Sequence, residues 1–259
     1  MISLSTMGWT LYNIIRKNRK HILGLLSRGE IVGKNPFGDA SRFFDRSIED
    51  LLIRKLYETG YNGYIVGEEL GIKKGAKNEW IFIDPLDGSL NVVRGINFYC
   101  VSVAYSTGPT INDIKTAIVW DIPNDIFYIA EKDIGAFKIK DNKVEKLEPK
   151  FESDILLFDV GFTSCGKCLD EIKRMGTFRR LGSIIISCMK VAEGIFDGIF
   201  EVGKLKATDV AAAYLIMREA GIYVFVEPID IHENPNVKLI AAKKKEIFEK
   251  LMSIYKEYV

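Results

Sequence analysis

One apolar run ends in two acidic residues, and this segment, residues 80–91 (WIFIDPLDGSLN), constrains the fold more than any other part of the sequence. Its apolar start is typical of a buried strand, and Asp84-Pro85 is expected to stop that strand because proline cannot donate to a sheet ladder. Pro85 restricts the backbone before Asp87, and Gly88 permits a tight exit into a short helix. The strand therefore delivers two carboxylates, three residues apart, into a turn.

These two carboxylates are candidate metal ligands. Hard cations such as Mg²⁺ prefer oxygen ligands, so we expect Asp84 and Asp87 to share an ion, with the Leu86 carbonyl as a third donor. The start of the following helix offers backbone N–H groups to an anion. A metal site beside an anion site is the layout that phosphoryl chemistry needs. Taken alone, however, the segment is equally typical of an ordinary turn.

The composition excludes several classes of protein. The chain has 259 residues, of which 47% are hydrophobic, and its formal net charge is +1. The apolar fraction excludes a disordered chain, and the charge balance argues against a dedicated binder of nucleic acid or of membrane surfaces. No apolar stretch reaches 18 residues, so no transmembrane helix is expected. With only His21 and His232, a histidine-based metal site or catalytic triad is disfavoured.

Residue usage also bears on the cellular setting. Residues 5–28 are expected to form an amphipathic helix and not a signal peptide, because their basic cluster follows an apolar stretch, so we expect a cytoplasmic protein. The sequence lacks Gln and is rich in Lys and Glu, a pattern seen in thermophile proteins.

For Cys165 and Cys168 we favour two reduced thiols, with a structural disulfide or a redox pair as alternatives. The ligands that would complete a zinc site are missing.

Apolar periodicity predicts a different architecture in each half of the chain. In the first half we expect helices at 5–28 and 41–60 and short strands at 64–66 and 80–83. Four further strands, at 98–106, 116–121, 126–131 and 135–140, are expected to form an antiparallel meander. The second half alternates, with strands at 155–159, 196–200, 223–226 and 239–242 and helices at 184–193, 210–220 and 246–255. With a polar linker candidate at 141–153, we predict an α+β domain at 1–143 and an α/β domain at 144–259.

Other acidic positions are ordinary when each is taken alone. Glu68, in Gly67-Glu68-Glu69 at a strand end, is expected to be solvated. Asp209 is expected to cap the helix that follows it, and Asp45 to be a surface charge within a helix.

Taken together, these segments resemble the inositol monophosphatase family, part of the Mg²⁺-dependent, lithium-sensitive phosphatase superfamily that includes fructose-1,6-bisphosphatases. The resemblance covers most of the chain. It rests on Gly-Glu-Glu at 67–69, the motif at 84–91, Thr-Asp at 208–209, Arg-Leu-Gly-Ser at 180–183, and the element Lys34, Asp39 and Asp45. It implies a layered αβαβα fold of the α/β (α+β) class, a homodimer, and an active site between the two domains. The N-terminal domain would carry most metal ligands, and the C-terminal domain would supply Asp209 and the substrate-side residues.

The resemblance also implies a role for each matching residue. The ligands that it implies for two to three Mg²⁺ are Glu68, Asp84, the Leu86 carbonyl, Asp87 and Asp209. The catalytic residues that it implies, which position the attacking water, are Asp45, Ser89 and Glu68. The substrate-binding residues that it implies are Asp87, Gly88, Ser89, Arg180, Gly182, Ser183, Glu201 and Asp209. Of these, the Gly88 and Ser89 N–H groups would hold phosphate and Glu201 would contact a hydroxyl of the sugar or cyclitol.

Electrostatics supports a metal site independently of the resemblance. Without cations, strong mutual repulsion is expected among the carboxylates of Asp45, Glu68, Asp84, Asp87 and Asp209. Three Mg²⁺ would change their summed charge from −5 to +1, which suits a phosphate monoester dianion. A metal ion also lowers the pKa of a bound water, so no histidine base is required.

Some positions depart from the usual family pattern. Thr208 stands where Trp is frequent, and Ser89 replaces the commoner Thr. Ile184 is bulkier than the residue of many inositol-preferring members, which puts inositol phosphate as the preferred substrate in doubt. The stretch before Thr208 is closer to archaeal members, in which basic residues face a second phosphate. Lys204 and Lys206 are candidates for that role, although exposed loop lysines are equally expected.

The sequence therefore predicts a Mg²⁺-dependent phosphatase for small sugar or cyclitol phosphates: inositol-1-phosphate, fructose-1,6-bisphosphate, or both. One alternative is a phosphatase for 3′-phosphoadenosine 5′-phosphate, which the modest length of the chain disfavours. A second is a non-catalytic scaffold, which the complete set of metal positions disfavours. The expected partners are the phosphate substrate and a second copy of the chain, without nucleic acid or membrane.

Overall fold

The computed structural model describes residues 2–161 and 165–259, apart from the side chain of Lys204. The α-helices of these residues are α1 (Thr6–Leu25), α2 (Phe43–Glu58), α3 (Ser89–Arg94), α4 (Gly166–Met175), α5 (Ile184–Ala192), α6 (Ala207–Glu219) and α7 (Lys245–Tyr258). Within this described part of the chain, no helix combines the length and the apolar character that a membrane span needs.

The strands of the described residues form three sheets. A two-stranded hairpin consists of β1 (Ile31–Lys34) and β2 (Ala40–Arg42). The large sheet is built from β3 (Gly63–Gly67), β4 (Gly71–Lys73), β5 (Lys77–Asp87), β6 (Cys100–Ser106), β7 (Ile114–Asp121), β8 (Ile126–Glu131), β9 (Gly135–Lys140) and β10 (Lys143–Lys146). The third sheet is built from β11 (Leu157–Val160), β12 (Thr177–Arg179), β13 (Gly198–Lys206), β14 (Tyr223–Glu227) and β15 (Asn236–Ala242).

Strand order and direction decide which strand ends meet. The large sheet has the order β10-β9-β8-β7-β6-β5-β3-β4, in which β3 and β5 run parallel and the other neighbours pair antiparallel. The antiparallel meander that the sequence predicts is therefore confirmed. The third sheet has the order β12-β11-β13-β15-β14, with β11 parallel to β12 and β13. Because β3 and β5 are parallel, their carboxyl ends lie at the same edge of the large sheet.

Strand β5 shows how the layers stack. Ile81 and Ile83 belong to a core shared with α1 and α2, whereas Trp80 and Phe82 belong to a second core shared with α5, α6 and the third sheet. Both faces of β5 are thus buried, which explains its continuous apolar run. A third core lies between the third sheet and α4 and α7. The order α1/α2, large sheet, α5/α6, third sheet, α4/α7 confirms the predicted αβαβα layering.

The predicted helices and strands are present, but β5 and β13 continue beyond their predicted ends. β5 reaches Asp87 because its register against β6 shifts between Asp84 and Asp87, so that Pro85 lies in an irregularity where no ladder donor is needed. β13 reaches Lys206 through a similar shift against β15. The expectation that Lys206 lies in a loop is therefore wrong.

Several short elements were not predicted, namely β1, β2, β4, β10, β12 and α4. β10 lies within the predicted linker at 141–153 and pairs with β9, so this part of the linker belongs to the large sheet. Residue 143, the predicted domain boundary, is the first residue of β10. The division into two domains stays a prediction.

A disulfide joins Cys165 and Cys168, so the favoured interpretation of two reduced thiols is wrong. Cys165 is the N-cap of α4, where its Sγ accepts a hydrogen bond from the Cys168 backbone N–H at 3.0 Å. The start of this helix brings the two Cα atoms to 5.1 Å, within the range that a disulfide spans. Cys100 and Cys188 are buried free thiols.

Candidate active site

A cavity of about 320 Å³, here called the acidic pocket, lies where the edge formed by β3 and β5 meets the third sheet. Its residues are Asn35, Asp39, Ala40, Asp45, Glu68, Glu69, Asp84, Leu86, Asp87, Gly88, Ser89, Leu90, Asp159, Arg180, Gly182, Ser183, Ile184, Glu201, Leu205 and Asp209. Nine of these are Asp or Glu, and Arg180 is the one basic residue among the described residues that line it. The pocket is therefore strongly negative without bound cations.

Glu68, Asp84 and Asp209 form the centre of the pocket. Their carboxylate oxygens all lie within 4.8 Å of one another. Glu68 follows β3 and Asp84 lies in the parallel neighbour β5, while Asp209 comes from the first turn of α6. Each is thus fixed by a separate element that is anchored in a core. This trio offers a hard cation the oxygen donors that such cations prefer.

Backbone hydrogen bonds hold two members of the trio in place. The Leu86 N–H donates to Asp84 Oδ1 at 3.0 Å, and the Lys206 N–H donates to Asp209 Oδ2 at 2.8 Å. Burial and the nearby charge of Glu68 raise the pKa of Asp84 and of Asp209 well above the usual value. The ionised forms of these carboxyl groups are therefore disfavoured unless a cation compensates their charge.

Asp87 lies in the same pocket but is bound by the start of α5. Its Oδ2 accepts hydrogen bonds from Ser183 Oγ at 2.6 Å and from the Ile185 N–H at 2.7 Å. Gly182, with φ of +83°, makes the left-handed turn that precedes this contact. Burial raises the pKa of Asp87 to about 7, although these hydrogen bonds act in the opposite direction. Ser183 and Gly182 thus contribute by fixing Asp87 against the second half of the chain.

Asp45 and Ser89 meet on the other side of the pocket. Ser89 Oγ donates to Asp45 Oδ1 at 2.5 Å and lies 2.9 Å from the Leu86 carbonyl oxygen. Burial raises the pKa of Asp45 to about 8, partly offset by this hydrogen bond. Asp45 is 3% exposed, so the expectation of a surface charge is wrong. The role of Asp45 and Ser89 in positioning a water molecule stays a prediction.

Gly88 connects β5 to α3 in a left-handed backbone conformation that favours glycine. Its φ is +94°, and a Cβ at this position would lie 2.8 Å from the Phe98 carbonyl oxygen. Any residue with a side chain would have to shift that strand connection or adopt a strained backbone. The predicted tight exit from β5 is therefore confirmed.

The third sheet contributes Asp159 and Glu201. Glu201 Oε1 accepts a hydrogen bond from the Gly203 N–H at 2.9 Å. Asp159, which the sequence analysis did not select, ends a predicted strand and is 5% exposed. Its Oδ2 accepts a hydrogen bond from Ser187 Oγ at 2.8 Å, and burial raises its pKa to about 6. An acidic residue at the carboxyl end of a strand was the one signal in the sequence that pointed to it.

Glu49, a second acidic residue that the sequence analysis missed, binds the backbone that follows Glu68. Glu49 is fully buried in α2, and its carboxylate accepts hydrogen bonds from the N–H groups of Glu69 at 2.8 Å and Leu70 at 2.7 Å. A Cβ on Gly67 would overlap the Glu49 carboxylate. Glu49 therefore fixes the turn that carries Glu68, and no motif in the sequence indicates this.

The two lysines expected at a second phosphate have different outcomes. The ammonium of Lys206 lies 2.6 Å from Asp39 Oδ2 and 3.1 Å from Glu68 Oε1, so it pairs with carboxylates of the pocket. The side chain of Lys204 lies outside what the structure describes. Arg180 lines the pocket, and its role in binding substrate stays a prediction.

Comparisons with known proteins agree with this geometry. The sequence matches the profile of the inositol monophosphatase family over residues 5–259. A fructose-1,6-bisphosphatase/inositol-1-monophosphatase of Thermococcus kodakarensis is 33% identical over 227 residues, 87% of this chain and 84% of that protein. A fructose-1,6-bisphosphatase of Pyrococcus furiosus is 30% identical over 237 residues, 87% of each chain. A solved inositol monophosphatase–fructose 1,6-bisphosphatase has a TM-score of 0.82 at 25% identity, covering 97% of this chain and all of that chain.

Proposed function

The chain belongs to the inositol monophosphatase family and is a phosphoric monoester hydrolase, and we propose that it is a Mg²⁺-dependent phosphatase for small sugar or cyclitol phosphates. The substrates that we propose are inositol-1-phosphate, fructose-1,6-bisphosphate, or both. The observation that carries this proposal is the meeting of Glu68, Asp84 and Asp209, from three separate elements, in one acidic pocket.

The donor set of this pocket fits Mg²⁺. Its three central carboxylates offer hard oxygen ligands, and the raised pKa of Asp84 and Asp209 means that a bound cation would favour their ionised forms. We propose that Glu68, Asp84, the Leu86 carbonyl, Asp87 and Asp209 hold two to three Mg²⁺. When bound, Mg²⁺ supplies Lewis-acid stabilisation of the phosphoryl charge and lowers the pKa of a water molecule.

Ser89 and Asp45 are proposed to orient the attacking water and to take up its proton. Because Ser89 Oγ donates to Asp45 Oδ1, a proton that arrives at Ser89 Oγ can pass to the carboxylate. Burial raises the pKa of Asp45 to about 8, so part of this carboxyl group is protonated near neutral pH. Only its ionised form accepts the proton, and nearby bound cations would favour that form. The backbone N–H groups of Gly88 and Ser89 are proposed to bind the phosphate oxygens.

The side of the pocket formed by the third sheet is proposed to bind the leaving group. Arg180 offers hydrogen-bond donors there, and the carboxylates of Glu201 and Asp159 offer acceptors. The hydroxyl groups of a sugar or cyclitol both donate and accept, so they match this mixed set. Recognition of the hydroxyl pattern by these residues would then determine which phosphate ester is preferred.

Phosphate release from a panel of substrates tests the proposal. The panel contains inositol-1-phosphate, fructose-1,6-bisphosphate, glucitol phosphate and 3′-phosphoadenosine 5′-phosphate, each with Mg²⁺, with EDTA, and with Mg²⁺ plus Li⁺. We expect Mg²⁺-dependent release from one or both of the first two, and inhibition by Li⁺. Preferred release from the nucleotide would contradict the substrate class. No release from any member, by protein shown to bind Mg²⁺, would favour a scaffold.

The role of the Ser89 hydroxyl gives a matched pair of variants. Ser89→Ala removes the donor to Asp45 and is expected to lower kcat by roughly a hundredfold, whereas Ser89→Thr keeps the hydroxyl and is expected to retain most activity. Phosphate release at saturating Mg²⁺ and substrate measures both. Equal activity of the alanine and threonine variants would show that the hydroxyl takes no part in the reaction.

A further inference from the structure

Lys206 places a fixed positive charge beside the candidate metal ligands. It is the last residue of β13, and its ammonium lies between Asp39, in the turn of the β1–β2 hairpin, and Glu68 at the end of β3. The distances are 2.6 Å to Asp39 Oδ2 and 3.1 Å to Glu68 Oε1. The ring of Phe37 also lies near the ammonium, at 5.0 Å from its centroid. Two separate segments, the β1–β2 turn and the end of β3, thus hold one cation in place.

Both the side chain and the backbone of Lys206 are tied to the trio. Its ammonium contacts Glu68, and its backbone N–H donates to Asp209 Oδ2 at 2.8 Å. The side chain is only 10% exposed, so solvent screens this charge less than it screens that of a surface lysine. Two carboxylates lie beside the ammonium and favour its charged form, so the side chain is a cation at neutral pH.

We propose that Lys206 is a positioning residue that competes with a divalent cation for Glu68. Without metal, its ammonium neutralises part of the carboxylate cluster and holds Glu68 in the pocket. With metal, the same ammonium repels the ion and must give up Glu68 Oε1, so it weakens Mg²⁺ binding. This inference rests on the proposed function only in that the pocket binds Mg²⁺. It also gives Lys206 a role other than contact with a second phosphate.

Calorimetric titration of Mg²⁺ into metal-free protein tests the proposal. Lys206→Met removes the charge, and Lys206→Gln removes it while leaving an amide that can donate to Asp39. Both are expected to lower the Kd for Mg²⁺ about tenfold, the size of the repulsion between an ammonium and a divalent ion a few ångströms apart in a water-like medium. Lys206→Arg keeps the charge and is expected to stay close to the parent protein.

Lys243 provides a matched control for the loss of a buried ion pair. Its ammonium lies 2.9 Å from Asp197 Oδ1, both side chains are 4% exposed, and neither residue lines the acidic pocket. Lys243→Met is therefore expected to lower stability without changing the Kd for Mg²⁺. In thermal unfolding, Mg²⁺ should raise the Tm of Lys206→Met by more than it raises that of the parent or of Lys243→Met.

The outcomes separate this inference from the proposed function. Binding of Mg²⁺ with the same or a higher Kd in both uncharged Lys206 variants would overturn the role of Lys206 and leave the phosphatase proposal intact. No binding of Mg²⁺ by the parent protein would overturn both. Circular dichroism of each variant shows whether it is folded, and if only one of the two uncharged variants folds, its Kd decides the question.

Discussion

Replacing Asp84 by Asn is expected to lower kcat for phosphate release by roughly a thousandfold or more. Asp84 forms the trio with Glu68 and Asp209 and is one of the proposed Mg²⁺ ligands. An amide of the same shape keeps the fold but removes the charge that holds the ions. Burial and the nearby charges of Glu68 and Asp87 raise the pKa of Asp84. A neutral amide at this position therefore also removes a buried charge and its repulsion from those carboxylates. We therefore expect this variant to be inactive and, without metal, at least as stable as the parent.

The activity and the stability of the Asp84→Asn variant must be measured on the same preparation. Phosphate release with saturating Mg²⁺ gives the first, and chemical unfolding in EDTA gives the second. Asp154→Asn is the matched control, since Asp154 is exposed and lies outside the acidic pocket, and it should change neither quantity. Full Mg²⁺-dependent activity of the Asp84 variant would contradict the mechanism.

The layering of the fold was predictable in part from local patterns. The apolar run before Asp84 indicated a buried strand, and β5 indeed lies between two cores. The order of the five layers came from the family resemblance, since periodicity does not report which helices cover which sheet. Short elements such as β4 and β12 were missed because three residues carry too little pattern.

The meeting of the candidate metal ligands was predictable because their motifs, taken together, resemble one family. Glu68, Asp84 and Asp209 each look like ordinary turn or cap residues, and only their combination predicted that they meet. Glu49 and Asp159 were missed for the opposite reason. Each is a single acidic residue without a motif. Their positions become clear only in the structure, where Glu49 accepts a hydrogen bond from the Glu69 N–H and Asp159 accepts one from Ser187 Oγ.

Contacts between distant segments and the chemical state of cysteines were not predictable. Lys206 was assigned to a phosphate because its charge was known and its neighbours were not, and the structure pairs it with Asp39 and Glu68. A C-x-x-C spacing permits reduced and oxidised states alike. The position of Cys165 as the N-cap of α4, which favours the disulfide with Cys168, depends on a helix that was not predicted.

The metal-free protein is expected to lose stability as the pH rises from about 5 to 8. Burial raises the pKa of Asp87 to about 7 and of Asp45 to about 8, and it raises the pKa of Asp84 and Asp209 as well. In the unfolded chain these groups ionise near pH 4. Between those limits the folded state binds more protons than the unfolded state, so the free energy of unfolding falls with rising pH. Each proton retained only by the folded state contributes about 1.4 kcal/mol per pH unit.

Unfolding by urea in EDTA, at pH 5.5 and at pH 8.5, measures this loss. Mg²⁺ should reverse it, because a cation that binds only the folded state compensates the ionised carboxylates and binds best when they are ionised. The Asp84→Asn variant should show a shallower fall, since one of the raised groups is missing and the others feel less charge. A free energy of unfolding that stays constant or rises over this range without metal would mean that the folded state does not raise the pKa of these carboxyl groups. The case for a cation at Glu68, Asp84 and Asp209 would then have lost its electrostatic basis.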